Sequence, residues 1–131
     1  MQFHHVGCAV DCIEDYLALY RDTLGFTKVS EIFLITEQKV RVCFVEVGSE
    51  SYVELIEAVD DNSPIEKLKR QGYYHVCFLT QDLDQKLEDL QSQGFLLITT
   101  FHSEAFQGRR CSFLINPFGH LIELAEASPR F

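Results

Sequence analysis

Basic residues are scarce in this chain of 131 residues. It has 11 Lys and Arg against 20 Asp and Glu, which gives a formal net charge of -9. Nucleic-acid binding draws its affinity from clustered basic side chains, so we expect no nucleic-acid partner. A small anionic ligand remains compatible with this charge, because a few basic residues can form a local patch that the total hides.

Long apolar runs are also absent. No stretch approaches the roughly 20 apolar residues that a membrane-spanning helix needs. The strand-like opening FHHVGCAV has neither a basic leader nor the apolar core of a signal peptide. We therefore expect a cytoplasmic protein with no membrane partner.

The sequence has no CxxC pair. Its five cysteines are odd in number and lie mostly within apolar runs, at Cys8, Cys12, Cys43, Cys77 and Cys111. This pattern favours free, buried thiols in a reducing compartment.

What the sequence does have is an internal repeat. One copy opens with FHHV at residue 3 and the other with YYHV at residue 73, and residues 44–58 align without a gap on residues 113–127. A chain of this length is one domain. We predict a single domain, 1–131, built from module one at about 3–58 and module two at about 73–127.

Each module predicts a strand, a helix and three further strands. The helices follow from apolar residues at helical spacing that end at Gly25 and Gly94. The strands follow from β-rich segments between turn residues. They are predicted at 3–10, 26–35, 39–47 and 51–58 in module one, and in module two at 95–101, 109–115 and 120–125 after an opening strand that begins at Tyr73.

Two connecting segments carry their own signals. Ser63-Pro64-Ile65-Glu66 has the pattern of a capping box with Pro at the first helical position, which predicts a linker helix at about 63–72. The stretch from His102 to Arg110 is a candidate lid or, with Arg109 or Arg110, an anion contact. It also fits a plain solvated loop.

A His and a Glu recur at equivalent places in the two modules. His5 and His75 lie in the opening strands, and Glu54 and Glu123 lie in the closing strands. Strand side chains alternate between faces, and the flanking residues are mostly apolar. We therefore expect the flanks to face the helices and the four polar side chains to share the concave face. His4, His102 and His120 have no symmetry partner and are treated as ordinary.

Two imidazoles and two carboxylates at one point describe a metal site, because a buried carboxylate is costly without a partner. We predict one divalent metal held by His5, Glu54, His75 and Glu123. Nitrogen and oxygen ligation without sulfur suits Co, Ni, Mn, Fe or Zn. Such a metal favours removal of a proton next to a carbonyl. Glu123 is the first candidate base and Glu54 its mirror-related partner, although both also fit inert ligands with bound water as acid or base.

These motifs, HHVGCAV, YVEL, YHV and LIEL, resemble those of the vicinal-oxygen-chelate superfamily, which includes glyoxalase I, methylmalonyl-CoA epimerase, extradiol dioxygenases and bleomycin-binding proteins. The resemblance covers essentially the whole chain. It implies an α+β fold in which two βαβββ modules form a half-open barrel around a metal, with the same four ligands.

Within the superfamily, NSPI at 62–65 and GYYH at 72–75 resemble the methylmalonyl-CoA epimerases. The resemblance implies a metal-dependent isomerase or lyase acting on a small molecule, with an acyl-CoA thioester as one possibility. Asn116-Pro117-Phe118 departs from the epimerase pattern His-Pro-Lys.

Two alternatives stay open. A lactoylglutathione lyase of the glyoxalase I type usually has an Arg and an Asn where this chain has Ala9 and Ala58. A non-catalytic binding or resistance protein would use the same fold. Members with two modules commonly pair, so we expect a homodimer with the first helix, through Tyr16, Leu17, Tyr20 and Leu24, as a candidate contact.

Overall fold

The computed structural model describes residues 1–66 and 72–126 and consists mainly of one eight-stranded mixed sheet. The strands are β1 Gln2–Ala9, β2 Phe33–Ile35, β3 Val40–Gly48, β4 Ser51–Ala58, β5 Tyr73–Thr80, β6 Leu96–Ser103, β7 Arg109–Ile115 and β8 Leu121–Glu126. The helices are α1 Ile13–Ala18, continued by a π-helix at Leu19–Thr23, and α2 Leu83–Ser92. Two short 3-10 turns, called here the 36–38 turn and the 104–106 turn, span Thr36–Gln38 and Glu104–Phe106.

The strand order is pseudo-symmetric about the centre of the sheet. From either edge it runs through the second, third and fourth strands of one module to the first strand of that module. It is β2-β3-β4-β1-β5-β8-β7-β6, with β1 and β5 antiparallel at the centre. On either side, β1 pairs in parallel with β4, and β5 pairs in parallel with β8. Each half is therefore a βαβββ module, and the sheet curls into a half-open barrel. The α+β fold with two such modules is confirmed.

The core lies on both sides of the curled sheet. The concave side holds one apolar cluster that includes Phe44, Ile56, Cys77 and Phe106. On the convex side α1 covers one cluster and α2 covers another. This two-sided burial follows from alternation along the strands: in β4, for example, Glu54 and Ile56 face inward while Leu55 faces α1.

The first helix ends where the sequence predicts, at Gly25, which has a left-handed φ of 85° that favours glycine. Its apolar face is used within the chain: Tyr16, Leu17 and Tyr20 pack against the sheet. Leu24, at the end of this face, is 53% exposed, and the first helix as a homodimer contact stays a prediction.

The predicted strand at 26–35 is correct only for its last three residues. Residues 26–32 meet β3 through an isolated bridge between Val29 and Val45. The reason is local: the hydroxyl of Ser30 accepts the Phe44 N–H at 2.9 Å, where a regular ladder would use a backbone carbonyl.

The linker helix predicted at 63–72 falls partly outside the described residues. Before that gap the chain forms a turn, in which the Glu66 N–H donates to the Ser63 carbonyl at 3.1 Å. The Ser63 hydroxyl accepts the N–H of Ile65 and donates to the Gln38 carbonyl. Ile65 is buried in the concave cluster, so this segment closes one end of the barrel interior.

Candidate metal centre

Four buried polar side chains meet on the concave face of the sheet. Nε2 of His5 lies 3.1 Å from Oε1 of Glu54, 3.2 Å from Oε1 of Glu123 and 3.2 Å from Nε2 of His75. Nε2 of His75 lies 3.1 Å from Oε1 of Glu123 and 3.6 Å from Oε1 of Glu54. No member of this group is more than 5% exposed. The repeat thus brings together the residues that the sequence singles out.

The four central strands place these side chains by a repeated register. Glu54 in β4 is paired with Gly7 in β1, two residues beyond His5. Glu123 in β8 is paired with Cys77 in β5, two residues beyond His75. The same offset in both modules directs one imidazole and one carboxylate from each module to the pseudo-two-fold axis.

Each of these histidines follows a β-bulge. The register between β1 and β5 shifts between Phe3 and His5 and again where Tyr74 is skipped. A bulged residue departs from the alternation of faces. The ring of His4 therefore packs against Phe44 and Phe106 on the concave side, and Tyr74 lies against the same cluster. The prediction that the flanking residues face the helices is wrong at these two positions.

His4 is also not the ordinary residue that the sequence suggests. It is 3% exposed, and its Nδ1 lies 2.8 Å from Nδ1 of His5. Burial, with a smaller effect from the neighbouring His5, lowers the pKa of His4 to about 3. His4 is therefore neutral near pH 7. The missed signal was the bulge, which strand periodicity does not reveal.

Gly7 makes room for His75. A Cβ atom at this position would lie 2.1 Å from Cε1 and 2.5 Å from Nδ1 of the His75 ring. Real Cβ atoms do not approach other atoms so closely, so only glycine allows the imidazole to lie against β1. The equivalent position in β5 is Cys77, opposite His5. The two imidazoles therefore meet different neighbours.

Aromatic rings hold both imidazoles from the side. Phe44 is paired with Glu54, and its ring centre is 5.3 Å from that of His5. Phe113 is paired with Glu123, and its ring centre is 5.1 Å from that of His75. Phe106, from the 104–106 turn, stacks over His5 at 6.3 Å and has no counterpart over His75 among the described residues.

The carboxylates strongly favour a cation at this point. Burial by itself lowers the pKa of His5, but the charge of Glu54 and the hydrogen bonds to Glu123 and Glu54 outweigh it and raise the pKa to about 9. Burial alone would raise the pKa of Glu123, but the hydrogen bonds and charges of both imidazoles hold it well below its ordinary value. In the absence of other cations, a proton on His5 offsets part of the carboxylate charge.

The donor set fits a divalent metal. Metal–ligand bonds of about 2.0–2.2 Å place neighbouring ligand atoms roughly 2.8–3.6 Å apart in octahedral or tetrahedral arrangements. The distances from the two imidazole Nε2 atoms to each other and to the carboxylate oxygens run from 3.1 to 3.6 Å. Two neutral imidazoles and two carboxylates supply two negative charges, which balance a divalent cation. The group therefore has the charge, spacing and burial of a metal centre.

A second group of potential ligands, Cys12, Glu14 and Glu57, serves a structural role instead. The guanidinium of Arg41 donates to Glu14 at 3.1 Å and to Glu57 at 3.2 Å. Glu57 also accepts the N–H of Ile13 at 2.9 Å, which satisfies a backbone donor at the start of α1. These carboxylates are already occupied.

A small cavity of about 20 Å³, enough for about one water molecule, opens beside the four residues. Glu54, His75 and Glu123 line it, and its walls are mostly apolar. Gln38 from the 36–38 turn contributes a polar side chain. Gln38 holds the place in its turn that Phe106 holds in the other, each just before a residue with left-handed φ. One half of the site is therefore closed by Phe106 and the other is open beside Gln38.

Comparison with known proteins assigns the family. The model of the glyoxalase/bleomycin resistance protein/dioxygenase superfamily matches residues 4–113. The chain belongs to this superfamily. A comparison with curated proteins finds no match.

Several solved structures superpose closely on the chain. Methylmalonyl-CoA epimerase from Mycobacterium tuberculosis is 29% identical, with a TM-score of 0.84 over 98% of this chain and 89% of that one. A variant of the Streptomyces coelicolor epimerase in complex with 2-nitronate-propionyl-CoA is 27% identical, with a TM-score of 0.83 over 98% and 99%. A hypothetical protein from Bacillus halodurans C-125 is 26% identical, with a TM-score of 0.85 over 99% and 96%.

The stretch from His102 to Arg110 differs from a plain solvated loop. Ala105 and Phe106 are buried, and His102 binds Glu37 in the other module. Arg110 donates to Asp84 and to Glu126, so it is already paired.

The five cysteines are free thiols, and four of them are buried, as predicted.

None of the helices in residues 1–66 and 72–126 combines the length and apolar character needed to cross a bilayer. The cytoplasmic location stays a prediction from the sequence.

Proposed function

We propose that this protein is a divalent-metal-dependent isomerase or lyase that removes a proton next to a carbonyl, with methylmalonyl-CoA epimerase activity as the first reaction to test. The convergence of His5, Glu54, His75 and Glu123 in a buried site carries the proposal. The similarity of the whole chain to epimerases that bind acyl-CoA compounds supports it.

In this proposal His5 and His75 bind the metal through Nε2, and Glu54 and Glu123 bind it through Oε1, since these atoms face one another. When bound, a divalent metal is a Lewis acid that increases the acidity of a C–H group next to a coordinated carbonyl. The identity of the metal, Co, Ni, Mn, Fe or Zn, is left to measurement.

The two carboxylates are the proposed bases. Glu123 and Glu54 both line the cavity, and they lie on opposite sides of the pseudo-two-fold axis. An epimerase must remove a proton from one face of a carbon and return one to the other, so two opposed carboxylates suit it. Glu123 takes the proton in this proposal, and Glu54 serves the opposite face.

The lining of the cavity offers the chemistry that a short acyl group with polar oxygens requires, and the cavity must widen to admit such a group. Phe113 and Phe101 stack at 5.5 Å and form part of an apolar wall. Gln38 and Tyr74 contribute neutral polar groups. Burial, together with Glu54 and Glu123, raises the pKa of Tyr74 well above its usual value, so its hydroxyl remains protonated. The longer part of an acyl thioester would lie outside this small cavity.

A specific observation disfavours the glyoxalase I alternative. Ala9 is fully buried, and Ala58 packs against the concave cluster. Neither side chain can donate a hydrogen bond to a glutathione carboxylate or amide. We therefore expect poor turnover of the methylglyoxal–glutathione hemithioacetal.

The deciding experiment is hydrogen exchange at the reacting carbon. The protein is purified without chelator, its metal content is measured by elemental analysis, and it is incubated with methylmalonyl-CoA in D2O. Mass spectrometry should show deuterium at the carbon next to the thioester, faster than without protein and slower with Glu123→Gln. Metal bound with no exchange on any acyl-CoA or hemithioacetal would instead favour the non-catalytic binding protein.

We also propose a homodimer. The edge strand β6 leaves Leu96 and Ile98 each 53% exposed, and unpaired sheet edges tend to be covered by another chain. Light scattering at micromolar concentration tests this. A mass near that of one chain, unchanged on concentration, rules it out.

A further inference from the structure

The two imidazoles of the metal centre are supported unequally. Nδ1 of His5 lies 2.8 Å from Nδ1 of His4. Nδ1 of His75 is buried and has no hydrogen-bond partner among the described residues. The residue that precedes His75 in its own bulge is Tyr74, so the His4 contact is not repeated by the symmetry of the fold.

The chemistry of imidazole fixes the direction of this hydrogen bond. A neutral imidazole has one N–H and one lone pair. For Nε2 of His5 to bind a metal, its lone pair must be free, so the proton must lie on Nδ1. The Nδ1–H of His5 then donates, and Nδ1 of His4 must accept.

His4 is held firmly in the position that this role requires. Its ring centre lies 4.8 Å from Tyr52, 5.6 Å from Phe44 and 5.1 Å from Phe106. Because it is packed between rings on the concave side and is 3% exposed, its Nδ1 cannot turn away from His5 without displacing them.

We propose that His4 is a positioning residue for the metal centre: its Nδ1 accepts the Nδ1–H of His5 and keeps the Nε2 lone pair of His5 directed at Glu54, His75 and Glu123. This inference rests on the proposed metal-dependent function. It gives a role to His4, which has no counterpart in the second module and is not one of the four proposed ligands.

Two variants of equal shape isolate the hydrogen bond. In His4→Asn the side-chain amide offers an acceptor oxygen at the place of Nδ1. In His4→Leu an apolar methyl group occupies that place, and the space lost relative to the imidazole is nearly the same. Partners that orient a metal-ligating imidazole typically account for about 10- to 100-fold in metal affinity.

The test measures metal affinity directly. Metal-free wild-type protein and both variants are titrated with Co²⁺, followed by visible absorption, and with Zn²⁺ against a chromophoric chelator. We expect His4→Asn to bind within a few-fold of wild type and His4→Leu to bind about 10- to 100-fold more weakly. Equal binding by the two variants overturns the inference alone. No binding by wild-type protein overturns the proposed function and the inference together.

A second measurement decides the matter if His4→Leu does not fold. In wild-type protein loaded with Zn²⁺ and labelled with ¹⁵N, NMR identifies which nitrogen of His5 carries the proton. We expect the proton on Nδ1 and a scalar coupling across the N–H···N bond to His4. A proton on Nε2 of His5, or no coupling, contradicts the inference.

Discussion

The His5 half and the His75 half of the candidate metal centre share a backbone plan but differ in what surrounds each imidazole. In both, a glutamate is paired across strands with a phenylalanine that packs against a histidine. The imidazole of His5 is hydrogen-bonded to that of His4 and is covered by Phe106. His75 lies over Gly7 and faces the cavity.

This difference separates two demands on one site. The proposed metal binding requires four donors at nearly equal separations, and the repeated register of the two modules provides them. The proposed entry of a substrate requires an opening on one side of the site, whereas identical side chains in the two turns would close both sides or open both. The bulges and the turns differ between modules, and they create this asymmetry while the strands keep the donors in place.

The largest effect should come from removing an imidazole. We expect both His5→Ala and His75→Ala to lower metal affinity by more than about 100-fold, beyond the usual effect of a supporting residue. The fold should remain, because the strands that carry the two rings are each held by backbone ladders on both sides. Elemental analysis after dialysis measures the loss. His120→Ala, at an exposed residue outside the site, is the control and should keep its metal.

Full metal occupancy in one of the two variants would contradict the expectation that both imidazoles bind the metal. That half of the repeat would then contribute backbone geometry alone.

The next largest effect should come from Phe106→Ala, which removes the side chain that covers His5. Phe106 is 1% exposed, and Phe→Ala in a core costs about 3–5 kcal/mol in the free energy of unfolding. Gln38→Ala, at the equivalent place in the 36–38 turn, should change that free energy by no more than about 0.5 kcal/mol. Urea unfolding of the metal-free proteins measures both. Equal losses would mean that the two turns close the barrel alike.

A smaller effect is expected from filling the space under His75. Gly7→Ala should displace the ring and destabilise the protein by about 1–3 kcal/mol, the usual cost of overpacking. Metal affinity should fall as well. Gly48→Ala is a matched control, because its Cβ would meet only the Cβ of Ser51 at 3.7 Å. Thermal unfolding and Co²⁺ titration give the two readouts, and unchanged metal affinity in Gly7→Ala would show that His75 adapts.

The sequence predicts the fold and the group of four because both follow from periodic signals. The repeat gives the module order, and alternation in β1, β4, β5 and β8 gives the shared face of His5, Glu54, His75 and Glu123. These signals are local and occur twice, so each copy supports the other.

The asymmetric features were not predictable in the same way. His4 turns inward because of a bulge, and a bulge depends on the partner strand. Phe106 reaches His5 across the module boundary, so its role depends on the closure of the barrel. The loop that contains it is polar at most positions, and its sequence therefore suggests solvent exposure.

The smallest effect should come from the exposed contact that joins the modules beside the open half. Glu37, in the 36–38 turn, accepts the backbone N–H of His102 at 3.1 Å and lies 3.1 Å from its imidazole Nδ1. No ion pair between described residues joins the 104–106 turn to β2 at the corresponding place. Exposed pairs of this kind contribute little to stability, so Glu37→Gln should lower thermal stability less than any variant above.

The stability difference between wild type and Glu37→Gln should depend on pH. The backbone N–H of His102, followed by its side chain, lowers the pKa of Glu37. A lowered pKa means that the carboxylate stabilises the folded state above the ordinary carboxyl pKa of about 4.5, and that this stabilisation disappears as the pH falls through the folded value. Thermal unfolding of wild type and Glu37→Gln should therefore differ slightly at pH 7 and converge in acid. A difference that grows in acid would mean that Glu37 binds its partner in the protonated form.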